Sequence, residues 1–293
     1  NQPLVMFIDD TTQWNPQNHD GSTGLLTTLR DGLRRSLNLI SVRVVQELIQ
    51  PIDVKRNAKK FGLTAPIRAF DAIALGTSEV IPLEITTAYA ALSNNGIYTK
   101  PVSVTRIENR HGKIIWTSEL EQIEVKDEAT VYLVRDLMKS VIDRGTGGSI
   151  RWKYKFNSPA AGKTGTTDSK ADAWFVGFTP QITMGVWVGM DDPAISLGSK
   201  QFGSSAALPI WAKTMKDIYE GKNYFSGLKE SKTLEPHLNW SVPEGIVELE
   251  ICSETFDIPT QWCTRTREIF LKQFQPRISC RKHTSPFSRF GKN

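Results

Sequence analysis

A lysine set among hydroxyl residues on a predicted strand is the first feature of this sequence with an evident chemical use. It lies in Pro159-Ala-Ala-Gly-Lys-Thr-Gly-Thr-Thr167. Lys163 supplies a fixed positive charge, and the hydroxyls of Thr164 and Thr166 can bind an anionic group. Gly165 lets the backbone of a ligand come close, because it carries no Cβ. A second polar pair stands far upstream, in Ser36-Leu37-Asn38, which closes the run Leu29-Arg-Asp-Gly-Leu-Arg-Arg-Ser36. Each string also has a plain structural reading. Lys163-Thr-Gly could be a polar strand end, Ser36 a helix N-cap, and Asn38 the source of a loop hydrogen bond.

The elements that must position these residues follow from periodicity and punctuation. Trp174-Phe-Val-Gly-Phe178 and the run from Ile182 to Val188 are rich in aromatic and β-branched residues and flank the turn Thr179-Pro180-Gln181. With the Lys163 segment they predict consecutive antiparallel strands. Leu37, Ile40, Val44 and Leu48 recur near helical spacing, so a helical region is expected over about 27–50, and a second over 53–62 ending at Gly62. Pro82 opens a helix that carries Leu83, Thr87, Ala90 and Ala91 on one side and stops by Gly96. Asp127 reads as the N-cap of a helix with Val131, Val134, Leu137, Met138 and Val141, stopped near Gly145. A last helix over about 207–219 would pack Leu208, Trp211, Met215 and Ile218. Leu4 to Ile8 predicts a short strand, and Val102 to Ile107 with Lys113 to Trp116 a hairpin around Asn109-Arg-His-Gly112. Helices interspersed with an antiparallel sheet predict an α+β layer fold.

Composition narrows the function classes. A chain of 293 residues, 39% hydrophobic and 23% charged, buries a sizeable core as one large domain or one domain with an appendage. The net charge of +5 is spread along the chain, and no basic run interleaves with aromatics, so no nucleic acid is expected as partner. Arg30, Arg34 and Arg35 read as a solvated helix face. No stretch approaches the roughly eighteen apolar residues of a membrane span. Asn1 to Asp10 lacks the basic start of a signal peptide and reads like a strand cut out of a longer chain. There is no G-x-G-x-x-G, and Gly162-Lys163-Thr164 lacks the upstream glycine of a P-loop, which argues against a nucleotide enzyme.

From about residue 220 the character changes. Residues 221–245 read as a polar linker, and 246–293 as an extension holding Cys252, Cys263 and Cys280. The odd count, with no Cys-x-x-Cys and no paired histidines, argues against a zinc site, so neither metal nor cofactor is expected. In an oxidising compartment Cys252 and Cys263 could bridge and leave Cys280 over, but spacing does not fix the connectivity. Each could equally be a small apolar filler.

Ser36-Leu37-Asn38 and Lys163-Thr-Gly165 match two of the three motifs, S-x-x-K, S-x-N and K-T-G, shared by penicillin-binding proteins and serine β-lactamases. Around them the wording of Trp14-Asn-Pro-Gln-Asn-His-Asp-Gly21, Pro82-Leu-Glu-Ile-Thr-Thr-Ala-Tyr-Ala-Ala91, Asp172-Ala-Trp-Phe-Val-Gly-Phe-Thr-Pro180 and Trp187-Val-Gly-Met-Asp-Asp192 is also similar. The chain resembles the transpeptidase domain of bifunctional (class A) penicillin-binding proteins almost throughout. The tail resembles the extension that follows that domain in some members. The resemblance implies the α+β transpeptidase fold of penicillin-binding proteins and serine β-lactamases, an antiparallel sheet packed with helices plus an all-helical region. Residues 1–220 would be that domain, lacking its N-terminal part.

The resemblance also implies a function. The expected reaction is D,D-transpeptidation of peptidoglycan stem peptides ending in D-Ala-D-Ala, with β-lactam antibiotics as inhibitors. The place is the bacterial cell envelope, on the extracytoplasmic side of the cytoplasmic membrane. Ser36 would relay a proton and Asn38 would hold the substrate's peptide carbonyl. Lys163 would order the Ser36 hydroxyl, and Thr164 and Thr166 would take the terminal carboxylate. Gly165 would lie along the added substrate strand. The motif S-x-x-K, whose serine is the family's nucleophile, has no match upstream of Ser36. The match Ser226-Gly-Leu-Lys229 comes after Lys163-Thr-Gly and out of order, as does Ser279-Cys-Arg-Lys282 in the tail. The expectation is therefore an upstream S-x-x-K, a glycosyltransferase domain and a membrane anchor, with divisome or elongation-complex proteins as partners. A D,D-carboxypeptidase, a serine β-lactamase and a non-catalytic penicillin-recognising scaffold share enough of the motif logic to stand as alternatives.

Overall fold

The computed structural model describes residues 1–7, 13–24, 26–221 and 234–285. Strands β1 (Met6–Phe7) and β2 (Gln13–Trp14) pair antiparallel ahead of the first helix. The helical pattern over 27–50 is not one helix. It divides into α1 (Leu29–Arg35), α2 (Asn38–Arg43) and a π turn over Val44–Leu48. The break falls at Ser36, whose backbone is left-handed, with φ 57° and ψ 49°. There the Leu37 N–H donates to Gly32 O (2.8 Å) and the Ser36 N–H to Leu33 O (3.1 Å), closing α1 in the manner of a Schellman motif. A Cβ on Gly32 would lie 2.5 Å from Ile40 Cγ2, so the absence of a side chain lets α1 and α2 pack directly.

Helix α3 (Pro51–Lys60) and helix α4 (Pro82–Ser93) both begin on proline, where the missing N–H costs nothing. Four short strands follow: β3 (Ile97–Thr99), β4 (Arg106–Glu108), β5 (Ile114–Thr117) and β6 (Gln122–Glu124). The predicted hairpin forms between β4 and β5, while β3 pairs with β6 across it, a pairing the local pattern does not announce. Helix α5 (Glu128–Arg144) starts as expected on Asp127, whose carboxylate accepts the Thr130 N–H at 2.8 Å. After the short α6 (Ser149–Trp152) come β7 (Ala161–Thr166), β8 (Asp172–Phe178) and β9 (Thr183–Gly189), antiparallel in that order. A π turn over Gly203–Ala207 leads into α7 (Leu208–Tyr219), and β10 (Ile246–Cys252) pairs with β11 (Arg265–Leu271) in the tail.

The core forms on both faces of β8, which is why its sequence is nearly all apolar. On one face Phe175 meets Trp211 of α7 edge to face, with Phe156, Leu208 and Met215 closing the cluster. Gly177 must be bare here, because a Cβ would sit 3.0 Å from the Trp211 ring. On the other face Phe178 packs with Met138 of α5, Tyr89 of α4 and Trp240. Trp240 lies in the stretch read as a linker. Its ring covers Phe178 and its Nε1–H donates to Ser93 O at 3.0 Å, so this part of the stretch is docked.

Arg30 departs from the expected solvated face. It is buried, and its guanidinium forks onto Glu268 of β11, reaches the Asp136 carboxylate at 2.7 Å and donates to Ser140 Oγ at 2.7 Å. A basic cluster on a helix looks solvated in sequence because its carboxylate partners are supplied from far along the chain. No helix among the described residues is long and apolar enough to cross a membrane.

Candidate active site

Strand β7 is an edge of its sheet. Lys163 joins it to the end of α1. Its Nζ donates to Ser36 Oγ at 2.8 Å and to the carbonyl of Thr164 at 3.0 Å. Because the Thr164 carbonyl is held by the ammonium, it points away from β8. The two-residue alternation of an antiparallel edge then puts the N–H and C=O of Thr166 on the same open edge. The two motifs singled out in the sequence thus meet at one place.

The backbone explains why Ser36 can be reached. A left-handed helix terminus ordinarily favours glycine. A serine there holds its hydroxyl at the rim of α1 instead of along its side. Two ties fix the distance from α1 to β7. The Thr146 N–H donates to Arg34 O at 3.0 Å, and the Thr146 hydroxyl is 2.9 Å from that of Thr164. Gly145 allows this crossing, since a Cβ there would lie 2.3 Å from Arg34 O.

Asn38 begins α2 near Ser36, and its amide donates to Gln17 O at 2.9 Å. Asn18 caps the same helix start, accepting the Leu39 N–H at 3.0 Å while donating to Ser22 O at 2.6 Å. On β7 the hydroxyl of Thr166 accepts the Gly203 N–H at 2.9 Å, so its own proton stays available to an anion. A Cβ on Gly203 would lie 2.4 Å from Gly165 O, which forces this close approach to be bare. Gly165 itself has Trp174 Cβ at 3.1 Å from where its side chain would begin. Thr146, Asn18 and Gly203 hold the site together, and sequence reasoning assigned none of them a role. Asn18 lay inside a matched stretch, but Thr146 and Gly203 carried no local signal. Ser226-Gly-Leu-Lys229 lies outside the described residues.

Burial of the Lys163 ammonium lowers its pKa from 10.5 to about 8. This has a definite sign. Between about pH 8 and pH 10.5 the folded protein has released a proton that the unfolded chain still holds, so the contribution of Lys163 to stability rises with pH across that window. Below it, the full cost of burying the charge is present. Thermal melts of the native protein and of Lys163→Met should therefore converge as the pH is raised through the window. A constant difference would show that Lys163 keeps its ordinary pKa.

The cysteines are not scattered fillers. Cys252, Cys263 and Cys280 form a single buried cluster in the tail, joined by His283, and no disulfide links them. The bridge considered between Cys252 and Cys263 is not formed.

A strand-edge lysine held on a serine at a helix terminus, over a three-stranded antiparallel sheet between helices, is the geometry of a penicillin-recognising transpeptidase domain. The family model described as penicillin binding protein transpeptidase domain matches residues 6–216, and the chain belongs to that family. A second model, described as penicillin-binding protein 1A, C-terminal domain, matches residues 242–285. Among curated relatives, penicillin-binding protein 1A of Aquifex aeolicus is 32% identical over 269 residues, covering 91% of this chain and 34% of the relative. Penicillin-binding protein 1A of Clostridium tetani is 31% identical over 298 residues, covering 95% of this chain and 35% of the relative. The chain thus spans about a third of the length of these relatives. The crystal structure of penicillin-binding protein 1A from Haemophilus influenzae superposes with a TM-score of 0.83 at 24% identity, over 95% of this chain and 45% of that one.

Proposed function

We propose that these residues form the substrate-holding half of a serine D,D-transpeptidase that cross-links peptidoglycan stem peptides, within a bifunctional enzyme that also carries a glycosyltransferase. The observation that carries the reading is the 2.8 Å contact between Lys163 Nζ and Ser36 Oγ, which joins the two motifs at an open strand edge. A stem peptide ending in D-Ala-D-Ala lies along β7 as an added strand, with backbone hydrogen bonds giving register. Its terminal carboxylate is drawn to the Lys163 charge and takes the Thr166 hydroxyl. Thr164 is engaged with Thr146 and acts mainly by holding the strand. Asn38 receives the peptide carbonyl.

The nucleophilic serine is supplied by a part of the enzyme outside these 293 residues. Its Oγ adds to the penultimate D-Ala carbonyl, the C–N bond breaks, and D-Ala leaves with a proton passed through Ser36. The acceptor amine of a second stem peptide then attacks the acyl-enzyme, giving its proton back along the same relay and restoring the serine. The Thr166 N–H stabilises the oxyanion in both steps. A β-lactam enters as the D-Ala-D-Ala mimic and stays bound as the acyl-enzyme. The site works on the outer side of the cytoplasmic membrane, where the stem peptides are, among partners of the cell-division or elongation machinery.

The test uses the complete enzyme and the present chain side by side. The complete enzyme should be covalently labelled by a reporter penicillin and should join a D-Ala-D-Ala donor peptide to an acceptor amine with release of D-Ala. The 293-residue chain should take no label. Label on the isolated chain, at Ser226 above all, would overturn the placement of the nucleophile. Hydrolysis without acceptor transfer would make the enzyme a carboxypeptidase, and no acylation of the complete enzyme would make it a scaffold.

A further inference from the structure

We infer that Cys252, Cys263, Cys280 and His283 form a structural zinc(II) site that closes the tail module. Their ligand atoms, three sulfurs and one ring nitrogen, all lie within 4.8 Å of one another, and all four residues are buried. His283 Nδ1 is 3.3 Å from Cys252 Sγ and 3.5 Å from Cys280 Sγ. A tetrahedral zinc with Zn–S of about 2.3 Å and Zn–N of about 2.0–2.1 Å sets sulfur–nitrogen edges of about 3.5 Å. The two sulfur–nitrogen edges at His283 already have that length. Three thiolates and an imidazole are a donor set that suits zinc and is unsuited to calcium or magnesium.

The chain arranges these ligands from four places. Cys252 ends β10 and Cys263 stands just before β11, across the hairpin. Cys280 is brought in by the bridge between Ile258 and Ser279, where the Cys280 N–H donates to Ile258 O at 2.8 Å. Thr260 ties the other ends together. Its N–H donates to Cys263 Sγ at 3.2 Å, and its hydroxyl donates to the His283 carbonyl. The outer shell is present as well. His283 Nε2 is 3.4 Å from Glu254, whose other oxygen accepts from Lys282 Nζ at 2.5 Å. A carboxylate on the far nitrogen fixes which ring nitrogen faces the metal.

A second observation points the same way. The buried cluster that belongs to the tail consists of these three cysteines. A module this small rarely holds itself by apolar burial alone and relies on disulfides or a metal. A bridge would use two of the three sulfurs and leave a thiol and a buried imidazole unexplained. Zinc uses all four groups, with three thiol protons passing to solvent as the Zn–S bonds form. Cysteine spacing argued against this site because it left His283 out of the count. The tertiary fold makes Cys280-x-x-His283 a ligand pair.

The test is made on the full chain, reduced and purified without chelator. Elemental analysis should find about one zinc per chain, and Cys263→Ser, Cys280→Ser and His283→Ala should each lose it. Cobalt(II) loaded in place of zinc should show the tetrahedral visible bands and thiolate charge-transfer absorption. Glu254→Gln, which removes no ligand, should weaken zinc binding about 10–100-fold. If the serine variants do not fold, the cobalt spectrum and metal content of the native chain decide alone. A chain without zinc whose cobalt spectrum lacks thiolate absorption overturns the inference. So does a mass lower by two hydrogens after isolation from the cell envelope, which would show a disulfide in the mature protein.

Discussion

Replacing Lys163 by alanine in the complete enzyme lowers the second-order rate of penicillin acylation by about 10²–10³ while the melting temperature holds or rises, the loss expected when a group aimed at developing charge is removed. Lys163 is the cation whose Nζ reaches Ser36 Oγ, and it also holds the Thr164 carbonyl on the open edge of β7. Alanine removes both. Ser36 is better tested with glycine than with alanine, because its φ of 57° suits glycine and strains any other residue. Ser36→Gly should keep the fold and lose acylation to a similar extent. Thr166→Ala should be milder, about 1–2 kcal/mol, since the backbone N–H survives and one hydroxyl bond is lost. Lys163→Arg should not rescue, because a planar fork does not fit where a compact ammonium meets one hydroxyl. The measurement is acylation rate across these variants with melts as folding control. Near-native acylation by Lys163→Ala would make the lysine a bystander and dissolve the site drawn around it.

The largest stability effect falls on Arg30. Arg30→Ala should cost about 3–5 kcal/mol, the range for breaking a buried ion pair by removing one partner. The side chain is 10% exposed, against 19% for Glu268 and 23% for Asp136, so solvent screens the group little. Without the guanidinium the two carboxylates face each other half-buried and unpaired. The loss also unfastens the tail from α1, which ends on Ser36. Arg30→Lys should recover only part, since an ammonium cannot fork onto Glu268. Adding Glu268→Ala to Arg30→Ala should restore stability relative to the single variant, because it removes the orphaned charge. Chemical denaturation of the four proteins reads this directly. A cost below about 1 kcal/mol would place the pair with ordinary surface bridges.

What the sequence alone determined is what local pattern carries. Runs rich in aromatic and β-branched residues fixed β8 and β9, Asp127 fixed the start of α5, and Pro82 that of α4. The motif residues Ser36, Asn38, Lys163, Thr164, Gly165 and Thr166 stood out because their types and order match a known family. What only the tertiary structure decided is who meets whom. A smooth 3.6-residue period hid the break at Ser36, because the left-handed turn there uses a serine where glycine would have announced it. Arg30 looked solvated until Glu268 arrived from β11. Thr146 and Gly203 became part of the site through the crossing under α1 and the turn against β7. Three cysteines without ligand spacing became one cluster once a hairpin and a single bridge gathered them around His283. Period and propensity report on neighbours within a turn or a strand. Buried charges, close glycine contacts and the cysteine–histidine cluster are settled by pairings between distant residues, which no local window contains.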